Sequence, residues 1–119
     1  MARKRHVLFV LDENERFLLS CDNRQWILER GNPEKRKPGK DTGYRAVTYV
    51  PATKAVLMRA LPVSQDDLRP EAAALLDALP DTFFECRALV RALGIDGFRE
   101  WLRSRAAGLM SLPDASQAA

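Results

Sequence analysis

The hydrophobic pattern of the chain changes period at Pro51, and this constrains the fold more than any other feature. Proline has no backbone N–H to give to a β-ladder, so it closes an extended segment. Before it lie four short runs rich in β-branched and aromatic residues: "HVLFVLD", "RFLLSCD", "RQWILERG" and "GYRAVTYV". They read as strands, separated by the polar turn signals "ENE" and Asp22-Asn23. In the last run, strict alternation puts Tyr44, Ala46, Thr48 and Val50 on one face, with Arg45, Val47 and Tyr49 on the other.

After Pro51 the period becomes helical. Thr53 is placed to cap "KAVLMRAL", in which Val56, Leu57, Ala60 and Leu61 share a face. Ser64 to Asp67 resembles a capping box, and Pro70 marks a first helical turn. Ala72, Leu75, Leu76 and Leu79 then recur at the spacing of a buried stripe. Thr82-Phe-Phe-Glu85 is a second capping box, leading into "CRALVRAL" with Cys86 on the apolar side beside Phe83, Val90 and Leu93. Gly94 is the expected stop, and "IDGFREWLRSR" makes a last helix that buries Phe98, Trp101 and Leu102.

Strands segregated from helices predict an α+β fold: a small antiparallel sheet of about four strands in the N-terminal half, covered by three to four C-terminal helices. The length of 119 residues fits one domain, and 46% hydrophobic residues are enough for a core of its own. The expected organisation is a single domain over 1–110 with a hairpin loop at 31–43, then a flexible tail over 111–119 that is small and polar. No internal repeat is present.

That loop is the segment least like the rest. "RGNPEKRKPGKDTGYR" concentrates Lys35, Arg36, Lys37 and Lys40 among prolines and glycines, with Arg45 just beyond, although the whole chain carries a net charge of only +3. One reading is a solvated hairpin tip whose lysines and prolines prevent edge-to-edge pairing. The other is a nucleic-acid contact, in which Lys35, Arg36, Lys37, Lys40 and Arg45 reach phosphates while Tyr44 and Tyr49 stack on bases. A protein partner is the third possibility, because Trp, Tyr and Arg are enriched in binding hot spots; Trp26, Tyr44 and Tyr49 are its candidates. Core packing is the alternative for Trp26 and is preferred for Trp101. Arg87, Arg91, Arg99 and Arg103 extend the basic character into the second half.

The residues argue against an enzyme. A catalytic triad or Cys–His pair would have to use the single histidine, His6, whose neighbour Arg5 is cationic. One histidine and two distant cysteines, Cys21 and Cys86, cannot assemble the usual zinc set, so no metal is expected. Asp12, Glu13, Glu15 and Asp22 cluster around the first turn, where solvated acids are ordinary. "PGKD" lacks the strand–GxxxxGK[ST]–helix context of a phosphate loop. No cofactor is called for. "HVLFVL" is too short for a signal-peptide core or a membrane span, so the expectation is a cytoplasmic protein with reduced thiols and no membrane partner. The oligomeric state is not legible.

"QWILERG", a variable insertion, "YRAVTYVPATKAVLMRAL" and "EAAALLDALPDTF" together resemble a group of short bacterial proteins, often prophage-associated, in which a Trp-Ile-Leu strand precedes a strand–helix unit. The likeness covers about Gln25 to Phe84. It lends no catalytic residues. The context it implies is at most regulatory or anti-defence, including inhibition of a CRISPR complex. The expectation is thus a small non-enzymatic binding module that contacts nucleic acid or a nucleoprotein through its basic loop, with a protein–protein inhibitor or adaptor as the alternative and an enzyme with an unrecognised carboxylate site as the third.

Overall fold

The computed structural model describes residues 5–32, 34 and 43–111. The chain is an α+β arrangement, a four-stranded antiparallel sheet followed by three α-helices. The strands are β1 (His6–Val10), β2 (Phe17–Cys21), β3 (Trp26–Gly31) and β4 (Tyr44–Val50). They pair in sequence order, which leaves β1 and β4 as the edges. The helices are α1 (Lys54–Ala60), α2 (Pro70–Ala78) and α3 (Phe83–Ser111), with a short 3-10 turn at Gln65–Asp67 between the first two. Among the described residues, no helix is long and apolar enough to cross a membrane. Most of the loop at 31–43 and the tail beyond Ser111 lie outside the described residues.

The turns explain why the strands start where they do. Asp12, a residue expected as a solvated acid, is instead 2% exposed. Its Oδ1 accepts the backbone N–H of Arg16 at 2.9 Å and of Phe17 at 3.0 Å, and its Oδ2 meets Arg16 Nε at 3.2 Å. This fixes the β1–β2 turn, in which Glu15 takes a left-handed φ of 55°. Asp22 does the same at the next turn, accepting from Arg24 N at 2.8 Å and Gln25 N at 3.1 Å. A carboxylate that satisfies two backbone donors substitutes for the ladder where the chain reverses.

The helix starts follow the sequence. Thr53 accepts from Val56 N, Pro70 opens α2, and Thr82 accepts from Glu85 N while its hydroxyl donates to the Glu85 carboxylate. α3 is a single element by its bounds, but Gly94 breaks it with φ 77° and ψ 165°, a backbone region essentially confined to glycine. Val56 and Leu93, expected on buried stripes, are instead 39% and 45% exposed.

Leu19, Cys21, Trp26, Leu28 and Val50 from the sheet form one buried cluster with Leu57, Leu76, Leu79, Phe83, Cys86, Phe98 and Leu102 from the helical half. Each fully buried large side chain contributes about 1.5–3 kcal/mol. The Trp26 and Phe83 rings meet edge to face, 5.4 Å between centroids and 83° between planes, which ties β3 directly to the start of α3.

Two bulges set which residues share a face. In β1, Leu8 is extra between the pairs Val7–Ser20 and Phe9–Leu19. In β4, Val47 is extra between Thr48–Leu28 and Ala46–Glu29. The second bulge corrects the simple alternation: Tyr44 and Ala46 lie on the face of Tyr49, while Arg45 joins Thr48 and Val50. An inserted residue reverses the facing of everything beyond it, and one strand's pattern cannot reveal it.

Candidate functional site

The β1–β2 turn and the β3–β4 loop lie at the same end of the sheet, because Phe17, Arg30 and Arg45 occupy successive positions across β2, β3 and β4. Gly31 N donates to Arg16 O at 2.7 Å, and Asn32 N to Gly43 O at 2.9 Å. The Tyr44 hydroxyl donates to Glu15 O, which clamps the loop root onto the first turn.

Arg30 and Arg45 are directly paired across β3 and β4, and both are exposed. Like charges placed opposite one another in a sheet are unfavourable. Neither takes part in an ion pair among the described residues. With Gly31 and Asn32 they line a hollow of about 330 Å³. Arg16 adds a third guanidinium at this end, held to Asp12 and lying 6.0 Å from the centre of the Phe17 ring. Of the loop residues expected to bind nucleic acid, Arg45 therefore faces Arg30, while the adjoining β1–β2 turn carries Glu13 and Glu15, each 3.9 Å from Arg69. Lys35, Arg36, Lys37 and Lys40 lie outside the described residues.

Arg87 and Arg99 of α3 do not extend this patch. Arg87 donates to Asn23 O at 3.4 Å, which places it at the β2–β3 turn, the opposite end of the sheet. Arg99 Nε donates to Val7 O at 2.9 Å and its Nη1 meets Asp96 at 3.1 Å. Arg103 pairs with Glu100 at 2.7 Å. Arg99 thereby covers a backbone acceptor of the β1 edge.

Among the three residues expected at a protein contact, Trp26 is corrected: it is 0% exposed and belongs to the core. It stands on the face of β3 that carries Leu28, so alternation turns it inward. Its indole nitrogen makes no full hydrogen bond, and the Cys86 thiol is its weak polar neighbour. Tyr44 is half-buried and Tyr49 is 48% exposed.

Residues outside the sequence expectation meet on the face of the sheet that bears Tyr49. Glu29, only 1% exposed, projects there from β3 beside Ser20 of β2. Its Oε2 pairs with Arg5 Nε at 2.8 Å and accepts the Ser20 hydroxyl, while Oε1 is buried without a hydrogen-bond partner among the described residues. Arg5, Ile27, Glu29, Tyr44, Ala46 and Tyr49 line a second, open hollow of about 330 Å³. "WILERG" hides this acid, because a Glu next to an Arg at the end of a strand reads as solvated surface.

The remaining candidates have structural duties. The carboxylates of Asp12 and Asp22 hold turns, and His6 is half-buried opposite Cys21. Burial pushes the Cys21 thiol up to about 12, helped by the neighbouring Asp22 and opposed by Arg99. Burial likewise raises Cys86 to about 12, reinforced by Cys21. Thiols held neutral in this way are packing groups at ordinary pH. Among the described residues, no group of three or more His, Cys, Asp or Glu side chains is placed to hold a metal ion.

No protein-family model, no curated protein and no solved structure matches the chain.

Proposed function

We propose that the protein is a small non-enzymatic binding module that takes nucleic acid, alone or within a nucleoprotein, on the cationic end of its sheet. Arg30 and Arg45 anchor the phosphates at the loop root, and Lys35, Arg36, Lys37 and Lys40 of the same loop extend the contact. The helices cover one face of the sheet in this reading, and the partner is met by the sheet end and the opposite face. A regulatory or anti-defence setting of the prophage type suits such a module.

The observation that carries the reading is the facing pair Arg30 and Arg45, which no carboxylate among the described residues neutralises. A polyanion removes the repulsion and releases its own counterions, so the local cost of the pair becomes a gain on binding. Surface charge placed only for solubility has no need of this juxtaposition. A gel-shift titration at low salt, with single-stranded and duplex oligonucleotides, is the test. A shift that is lost in Arg45→Glu is expected; absence of any shift removes the proposal.

A second reading, a protein–protein inhibitor or adaptor, is favoured by Phe84, which is 69% exposed with the Arg87 guanidinium 5.7 Å from its ring centre. An aromatic–arginine pair on the surface is hot-spot chemistry. Pull-down from a bacterial lysate with and without nuclease treatment separates the two readings: nucleic-acid-mediated partners vanish on digestion.

A further inference from the structure

We infer that the hollow around Glu29 receives one unstacked nucleobase that bears an exocyclic amino group, and that Glu29 Oε1 accepts its N–H. The inference deepens the proposed function and rests on it. The acid is 1% exposed, and its two oxygens are unequal: Oε2 holds Arg5 and Ser20, whereas Oε1 has no donor among the described residues. A buried acceptor left unmade is costly, and the natural remedy is a donor brought by a ligand.

The chemistry of the walls selects that ligand. Arg5 already balances the charge of Glu29, so the hollow calls for a neutral donor in preference to an organic cation. Tyr44 and Tyr49 offer aromatic surface and Ile27 an aliphatic floor, a setting for a flat heteroaromatic ring. A volume of about 330 Å³ lies at the small end of ligand pockets, which run to roughly 300–1,000 Å³. It accommodates one base, with the strand itself outside. Arg30 and Arg45 stand on the other face at the same end of the sheet, so a strand whose phosphates meet them reaches the hollow by passing round that end.

A carboxylate oxygen accepts readily from the amino groups of cytosine, adenine or guanine. The single N–H of thymine sits between two carbonyl oxygens, whose lone pairs face the carboxylate unfavourably. The site thus reads amino-bearing bases against thymine.

Fluorescence anisotropy with single-stranded homopolymers of equal length tests this. Oligo(dC) is expected to bind about tenfold or more tighter than oligo(dT), the difference of one charge-assisted hydrogen bond. Glu29→Gln, which keeps the shape of the side chain, brings the two within about twofold. Tyr49→Ala, at an exposed position that does not threaten the fold, weakens both homopolymers about fivefold or more. Equal affinity for oligo(dC) and oligo(dT) in the parent protein overturns the inference, as does a preference that survives in Glu29→Gln. If that variant fails to fold, unchanged binding in Tyr49→Ala overturns it. Salt-dependent binding without base preference removes this inference alone and leaves the reading of Arg30 and Arg45 standing, whereas no binding to any oligonucleotide removes both.

Discussion

Replacing Arg45 by Glu should make the protein more stable and less able to bind nucleic acid. Arg30 and Arg45 are directly opposed across an antiparallel pair, where side chains lie about 5 Å apart at Cβ. For exposed guanidinium groups separated by about 6 Å, Coulomb's law in water gives about 0.7 kcal/mol of repulsion. Reversing one sign turns repulsion into attraction, and allowance for side-chain entropy leaves a gain of about 1 kcal/mol. For a chain of 119 residues, an unfolding entropy of about 2.1 cal/mol/K per residue converts this to a rise of about 4 °C in melting temperature. Thermal unfolding by circular dichroism, at low salt and again near 0.5 M, is the assay. The gain should shrink severalfold at the higher salt, where the Debye length falls to only a few ångströms. A variant that melts lower than the parent, or a gain that salt leaves intact, refutes the reasoning. The pair would then not be a repelling one, and the principal support for a polyanion partner would go with it.

Asp12→Ala should cost about 2–4 kcal/mol in urea unfolding, because a buried acid that satisfies two backbone donors and Arg16 is lost. Gly94→Ala should cost about 1–3 kcal/mol by the same assay; no atom crowds the site of the new Cβ, so the penalty is that of φ 77° alone. Stability should also fall at alkaline pH. Both thiols keep their protons in the fold up to about 12 but ionise from 9.0 in the unfolded chain, so the folded state binds more protons between those values. Each then removes about 1.4 kcal/mol per pH unit above 9, a slope that the double variant Cys21→Ala, Cys86→Ala should largely abolish.

The fold was readable where local chemistry decides it. Pro51, Thr53, Pro70, Thr82 and Gly94 each act through their own backbone or an immediate neighbour, and strands and helices start or break beside them as expected. Features that depend on a partner strand were hidden. The bulge at Val47 arises from the register against β3, so Tyr44 and Ala46 could not be assigned to the face of Tyr49 from β4 alone. Glu29 was hidden for the same reason: only pairing with β2 brings Ser20 beside it. Trp26 shows the converse, since composition marks it as a surface hot spot while packing against Phe83 of α3 holds it in the core. For the cationic end, the sequence supplied the charges but not the juxtaposition. Arg30 looks like any surface arginine in the sequence, because its opposition to Arg45 exists only once the hairpin is in register.

The central claim is that the cations at the root of the β3–β4 loop meet phosphates. Its most direct test is the slope of log affinity against log salt for a single-stranded oligonucleotide, in the parent protein and in the double variant Arg30→Ala, Arg45→Ala. Six contacts, from Arg30, Arg45 and the four loop cations, give a slope of about −4.2, and removal of two should reduce it to about −2.8. A slope that is the same in both proteins, or no binding at any salt, would contradict the account.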